Sequence, residues 1–187
     1  MKQEVYRTVQ VLREGGIIVY PTDTVWGIGC DATCRQAVEK IYALKESAGK
    51  HSMTVLAADE DMVARYTNRV PQVAWDLLAL SDKPLTLILP EAHGIAEGLV
   101  PPEGTVGVRI PRHEFCQALL RALGRPIVST SANVSGCGAA LAFEQIDERI
   151  LGGADYVVSR RMEGHPTGKP SSIISIGEGG EFKIIRE

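Results

Sequence analysis

Residues 126–136 read Pro-Ile-Val-Ser-Thr-Ser-Ala-Asn-Val-Ser-Gly, an apolar start followed by four hydroxyls and an amide. Ile127 and Val128 have the character of a short buried strand, and Gly136 permits a sharp turn after the polar run. Ser129, Thr130, Ser131, Asn133 and Ser135 therefore sit where a strand gives way to a loop. Open α/β sheets hold ligands at such strand ends, and hydroxyls, an amide and free backbone N–H groups make a donor surface for phosphate or carboxylate oxygens. The same residue types bond their own backbone in ordinary turns, so this run alone leaves both readings open.

A second stretch repeats the arrangement. Gly15 and Gly16 interrupt an amphipathic segment, and Ile17, Ile18, Val19 and Tyr20 form an apolar run that stops at Pro21. Thr22, Asp23 and Thr24 follow at once, then Val25, Trp26, Gly27, Ile28 and Gly29. Hydroxyls and a carboxylate again lie just past a strand, and the two glycines open the backbone to close approach. No third glycine opens a helix, so the dinucleotide-binding fingerprint is set aside.

Outward from these two stretches, helical and strand patterns alternate without internal repeats. Residues 2–14 carry Val5, Val9 and Leu12 on one helical face, and residues 34–45 carry Val38, Ile41 and Leu44, with Thr33 as the expected cap. Further helices are expected around 59–66, 72–80, 112–123 and 143–151. Short apolar strands are expected at 53–57, 85–89, 106–110, 127–129, 156–159, 172–176 and 182–185. The alternation predicts one layered α/β domain over residues 1–187, built on a mixed, twisted, open sheet. The Gly/Pro-rich segments around 90–104 and 162–170 read as surface loops, the second placed to close over a site.

Composition narrows the class. A chain of 187 residues that is 44% hydrophobic can bury one substantial core. Its net charge of −3 gives no general attraction for polyanions, so a nucleotide or RNA site would have to be a local patch. No apolar stretch approaches the roughly 20 residues of a membrane span, and the amino terminus lacks a signal-peptide core; a cytoplasmic protein with no membrane partner is expected. Cys30, Cys34, Cys116 and Cys137 show no C-x-x-C spacing and are expected to be reduced thiols. His51, His93, His113 and His165 lie far apart in polar contexts and read as surface residues, so no protein-only metal site is expected.

Taken in order, several blocks resemble the YrdC-like family, whose central members are threonylcarbamoyl-adenylate synthases of a tRNA modification pathway. They are Pro21-Thr22-Asp23-Thr24-Val25-Trp26-Gly27, Lys45 at a helix end, Lys83-Pro84-Leu85-Thr86, Thr105-Val106-Gly107-Val108-Arg109-Ile110-Pro111, the run from Ser129 to Gly136, and Pro170-Ser171-Ser172-Ile173. Each block alone is weak; their order along nearly the whole chain makes the match specific. The resemblance implies a wide concave cavity on the open sheet, lined by these strand ends, in the family's single-domain form.

It also implies a chemistry: condensation of L-threonine, bicarbonate and ATP into threonylcarbamoyl-AMP and pyrophosphate, the carboxylated amino acid attacking the α-phosphorus. Positioning and charge neutralisation dominate such a step, and no nucleophilic triad is needed. Magnesium is expected to arrive with the triphosphate. Arg109 follows an apolar strand, where a cation is costly unless paired, and its planar fork suits the threonine carboxylate; a salt bridge to an Asp or Glu is the other reading. By carry-over, Thr24, Ser129 and Ser171 complete the threonine side. Lys45, Thr105, Ser131, Asn133 and Arg186 face the nucleotide, with Lys45, Arg109 and Asn133 as the catalytic set. Lys45 also suits a helix C-terminus without any ligand. Expected partners beyond the substrates are tRNA and the downstream threonylcarbamoyl-transferase proteins.

The chain also departs from the family pattern. Members commonly have an Arg two residues after the helix-ending Lys and an Asn-Pro pair soon after; here Ser47, His51 and Ser52 stand there. Leu56 replaces a frequent His and Ala139 a frequent nucleotide-facing Ser. Lys50 returns a charge to this stretch but not a bidentate fork. Two other classes follow: a paralogue that keeps the nucleotide cavity without synthase activity, and an RNA-binding module using Arg121, Arg125, Arg160, Arg161 and Lys169. Against the latter, aromatic residues make up only 5% of the chain and no aromatic-basic stripe is present.

Overall fold

Among the residues described by the computed structural model, 1–47, 53–136, 138 and 140–187, the apolar runs pair into one nine-stranded mixed sheet. The strands are β1 (Ile18–Tyr20), β2 (Gly27–Gly29), β3 (Thr54–Leu56), β4 (Leu85–Leu89), β5 (Val106–Arg109), β6 (Ile127–Ser131), β7 (Tyr156–Val157), β8 (Ser172–Ile176) and β9 (Phe182–Arg186). Their spatial order is β7-β1-β2-β6-β3-β5-β4-β8-β9. The β7/β1, β3/β5 and β4/β8 pairs are parallel and the rest antiparallel. Lys50, His51, Ser52, Cys137 and Ala139 lie outside the described residues.

One strand was not expected. Gly27 to Gly29, read from sequence as an open approach to the backbone, is β2, paired with β1 on one side and β6 on the other. A Cβ on Gly29 would come to 2.1 Å from the Val128 carbonyl oxygen, so the glycine is there for backbone contact inside the sheet. The same pairing seats the polar end of β6: Gly27 lies opposite Ser131, and Thr54 of β3 lies opposite Ser129.

Six helices cover the sheet among the described residues: α1 (Lys2–Arg13), α2 (Arg35–Leu44), α3 (Glu60–Ala64), α4 (Gln72–Leu80), α5 (Glu114–Leu123) and α6 (Glu148–Gly153). α1 buries Val5, Thr8, Val9 and Leu12 and packs on α5, which buries Phe115, Cys116, Leu119, Leu120 and Leu123 at helical spacing. Burying each large apolar side chain contributes roughly 1.5–3 kcal/mol, and Trp26, Tyr20 and Phe115 are the largest of those fully enclosed. Gly124 ends α5 in the left-handed conformation at φ 73°, which a Cβ would penalise.

Three local expectations need correcting. Thr33 does not cap α2; its N–H and hydroxyl both donate to Asp31 Oδ1, at 2.9 and 2.7 Å, and Cys34 takes the capping position. The helix expected over 143–151 is two pieces, a 3₁₀ turn at Phe143–Gln145 and then α6, because Asp147 starts a new helix by accepting the Arg149 N–H at 2.8 Å. His113 is not a surface residue: it is buried at the start of α5, where Nδ1 accepts the Cys116 N–H at 3.4 Å. His93 and His165 are exposed. Cys30, Cys34 and Cys116 are free thiols, and burial pushes the pKa of Cys30 and Cys116 well up.

Candidate functional site

The strand ends enclose a cavity of about 310 Å³, lined by Thr22, Thr24, Val25 and Gly27 from the β1–β2 stretch, Thr54, Arg109, Ser129 to Ser131, and Pro170, Ser171, Ile173 and Arg186. Of the residues expected on sequence grounds, Thr24, Arg109, Ser129, Ser131, Ser171 and Arg186 therefore meet in one place. Thr105 does not line it; it lines a neighbouring, more apolar cleft of about 420 Å³ that shares Thr54 and Ile173 with the first.

Arg109 closes β5 and is only 4% exposed. Its Nη1 donates to Asp23 Oδ1 at 2.5 Å, while Asp23 Oδ2 accepts the Arg112 N–H at 3.0 Å. The salt-bridge reading of this residue holds, and Arg109 also lines the cavity. The ion pair uses one nitrogen of the fork and one carboxylate oxygen, the other oxygen being taken by the Arg112 N–H, and the remaining guanidinium donors, with no hydrogen-bond partner among the described residues, are available to an anion.

Lys45 and Asn133 join the cavity through Ser131. Lys45 follows α2, and its Nζ donates to the carbonyls of Ser131 and Asn133 at 2.6 and 2.7 Å. The Ser135 N–H returns to the Lys45 carbonyl at 3.0 Å, and the Ser47 and Ser135 hydroxyls are hydrogen-bonded to each other. The end of α2 thus fixes the loop after β6. Burial lowers the Lys45 pKa from its ordinary 10.5 to about 8. Asn133 Nδ2 donates to the Val134 carbonyl at 2.9 Å. Leu56, where a His is frequent, is wholly buried in β3.

The far wall comes from the carboxyl-terminal third. Ser171 Oγ lies 2.8 Å from Thr86 Oγ1, and its carbonyl accepts from Arg186 Nε and Nη2 at 3.0 and 2.7 Å. The 162–170 loop is docked across the site: the Thr167 and Gly168 N–H groups donate to the Asp23 and Thr24 carbonyls at 2.9 and 3.0 Å. Trp26 Nε1 donates to Glu163 Oε1 at 2.7 Å. Sequence reasoning left Thr22, Asp23 and Thr86 without roles. Thr22 and Asp23 stand in the block that holds Thr24, whereas Thr86 stands in the Lys83–Thr86 block, from which no site residue was expected.

Charge elsewhere is dispersed. Arg125 pairs with Asp31 at 2.8 Å, and Arg160 pairs with Glu144 at 2.5 Å while lying over the Phe143 ring at 5.1 Å. Among the described residues, no cluster of three or more His, Cys, Asp or Glu could hold a metal ion, and no helix is long and apolar enough to cross a membrane.

Comparison with known proteins places this geometry. Residues 10–187 match the family profile Sua5_yciO_yrdC, described as telomere recombination. A curated protein of Marinobacter nauticus named threonylcarbamoyl-AMP synthase is 34% identical over 176 residues, 93% of this chain and 92% of its own. The crystal structure of E. coli YciO superposes with a TM-score of 0.83 at 27% identity, covering 100% of this chain and 90% of that one. The structure of P. abyssi Sua5 complexed with L-threonine superposes with a TM-score of 0.86 at 25% identity, covering 94% of this chain. This chain spans 52% of the length of that Sua5 chain.

Proposed function

The chain belongs to the Sua5/YciO/YrdC family, and we propose that it is an L-threonylcarbamoyladenylate synthase, joining L-threonine, bicarbonate and ATP into threonylcarbamoyl-AMP and pyrophosphate for threonylcarbamoyladenosine modification of tRNA. The observation that carries this reading is Arg109: a buried guanidinium with one nitrogen held by Asp23 and its other donors facing a cavity walled by hydroxyls. That arrangement suits a small carboxylate surrounded by hydrogen-bonding groups. Arg109 would hold the threonine carboxylate, with Thr24, Ser129 and Ser171 around the rest of the amino acid.

In the reaction the threonine nitrogen and bicarbonate form a carbamate with loss of water; a carbamate oxygen then forms a bond to the α-phosphorus of ATP and the bond to the pyrophosphate oxygen breaks. The protein's part is to bring the two reactants in line. Ser131, Asn133 and Lys45 would border the phosphates, with Arg186 at the mouth and Thr105 reached through the adjoining cleft. Asp23, the carboxylate beside Arg109, is already engaged by Arg109 and the Arg112 N–H. These residues fit magnesium carried on the triphosphate, where it would neutralise phosphate charge, and not a cation held by the protein alone. A single domain acting in the cytoplasm, handing its product to tRNA through threonylcarbamoyl-transferase proteins, completes the proposal.

Release of pyrophosphate from ATP by the purified chain tests it. Release should require both threonine and bicarbonate. Release independent of threonine, or none at all from a folded chain, would overturn the synthase reading. The paralogue reading draws on one observation, the Ser47–Ser135 hydroxyl pair where relatives commonly carry an arginine. Calorimetry showing ATP binding without threonine binding would favour it.

A further inference from the structure

Thr22 and Thr24 face each other with their Oγ1 atoms 2.8 Å apart, both buried at the cavity. A threonine hydroxyl has one proton to donate and two lone pairs to accept with. Thr22 Oγ1 donates to the Val25 carbonyl at 2.8 Å and accepts the Thr24 N–H at 3.1 Å. With its proton directed to Val25, Thr22 can meet the Thr24 hydroxyl only as an acceptor, so Thr24 must be the donor in that bond. The reverse arrangement, with Thr22 donating to Thr24, would withdraw the hydroxyl donor from the Val25 carbonyl in a buried turn.

The consequence reaches the ligand. The Thr24 proton is thus committed to Thr22, which leaves the Thr24 lone pairs to meet a ligand in the cavity. We propose that Thr22 is a positioning residue that sets Thr24 as a hydrogen-bond acceptor for the nitrogen of the bound amino acid. This rests on the threonine reading of the cavity. It fits the chemistry of that ligand, because the nitrogen keeps an N–H both as the free amine and after carboxylation. Arg109 then supplies donors for the carboxylate and Thr24 an acceptor for the nitrogen, a polarity that distinguishes an α-amino acid from the same acid without its amino group.

The test compares two probes, L-threonine and 3-hydroxybutanoate, which is threonine without the amino group, by calorimetry on the wild-type chain, Thr22→Val and Thr22→Ser. Thr22→Val keeps the branched shape but frees the Thr24 proton. It should weaken threonine about tenfold while leaving 3-hydroxybutanoate within about twofold, the loss of one hydrogen bond confined to the nitrogen. Thr22→Ser should restore threonine affinity. A merely structural role would weaken both probes together, and that result would overturn the proposal. If Thr22→Val does not fold, the cycle of Thr22→Ala with Thr24→Val supplies the answer: with Thr24 gone, loss of the Thr22 hydroxyl should have no further effect on threonine, and additive losses would overturn the coupling. A wild-type chain that binds 3-hydroxybutanoate as tightly as threonine overturns this inference while sparing the carboxylate site. One that binds neither overturns the threonine reading itself, and this inference with it.

Discussion

Asp23 and Arg109 form a buried ion pair, 2.5 Å between Oδ1 and Nη1; the Arg112 N–H engages the second carboxylate oxygen, while the guanidinium is used only in part. The two residues come from separate strands of the sheet, Asp23 after β1 and Arg109 at the end of β5, with β2, β6 and β3 lying between those strands. Fold stability and anion binding therefore meet in one contact.

Removing the carboxylate should expose this double role. Asp23→Ala leaves a buried cation without its counter-charge and should destabilise the chain by about 3–5 kcal/mol. Urea unfolding measures it. Added threonine should raise the unfolding midpoint of the variant more than that of the wild type, since the ligand carboxylate supplies the missing charge. Equal shifts in both proteins would separate Arg109 from the ligand.

Arg109→Ala should weaken threonine binding by about 2–4 kcal/mol, the loss expected when one partner of a hydrogen-bonded charge pair is removed. ATP binding should change much less. Lysine at this position should rescue only part of the loss, because it lacks the fork. Calorimetry with each ligand decides, and equal losses for both would show that Arg109 does not select threonine.

Lys45 carries a pH signature. Its folded pKa, about 8, lies below its ordinary 10.5, so between these values the unfolded chain binds more protons than the folded one. Stability from this group therefore rises with pH across that window, and the burial penalty is fully present below it. Relative to Lys45→Met, the wild type should gain stability between pH 8 and pH 10.5 in urea titrations. A constant difference would mean that Lys45 is not held in a desolvating site.

The altered end of α2 can be probed by restoring the usual cation. Ser47→Arg should tighten ATP binding by about 1–3 kcal/mol, the worth of a charged hydrogen bond to phosphate. Lys45→Ala should weaken ATP. If both substitutions are silent in calorimetry and in pyrophosphate release, the nucleotide does not lie at this end of the cavity.

Two glycines of β2 should respond differently. A Cβ on Gly29 would overlap the Val128 carbonyl at 2.1 Å, whereas one on Gly27 would lie 3.4 Å from the Thr130 carbonyl. Gly29→Ala should cost at least about 3 kcal/mol or prevent folding, beyond ordinary overpacking. Gly27→Ala should be far milder by thermal unfolding. Similar effects at both positions would argue against close β2–β6 pairing.

The strands legible in sequence were those rich in apolar residues over five positions, such as β4 and β8, whose observed bounds are the expected ones. β2 was hidden because Gly-Ile-Gly has little strand character of its own; its place in the sheet comes from neighbours on both sides. The hydroxyls of β6 and the arginine of β5 were legible as site residues, since polar groups at the ends of buried strands need a partner. Asp23 was legible as a carboxylate just past a strand, but its partner was not, because only the fold brings Arg109 beside it.

By itself, then, the sequence determined the alternating α/β plan, the family blocks and most of the cavity wall, because burial periodicity and short polar motifs are local properties. Tertiary structure alone decided that Asp23 meets Arg109, that Lys45 bonds the loop after β6, and that Thr105 lies in the adjoining cleft. Those facts depend on which strands become neighbours, and pairing between residues 86 or more positions apart is invisible to any local pattern.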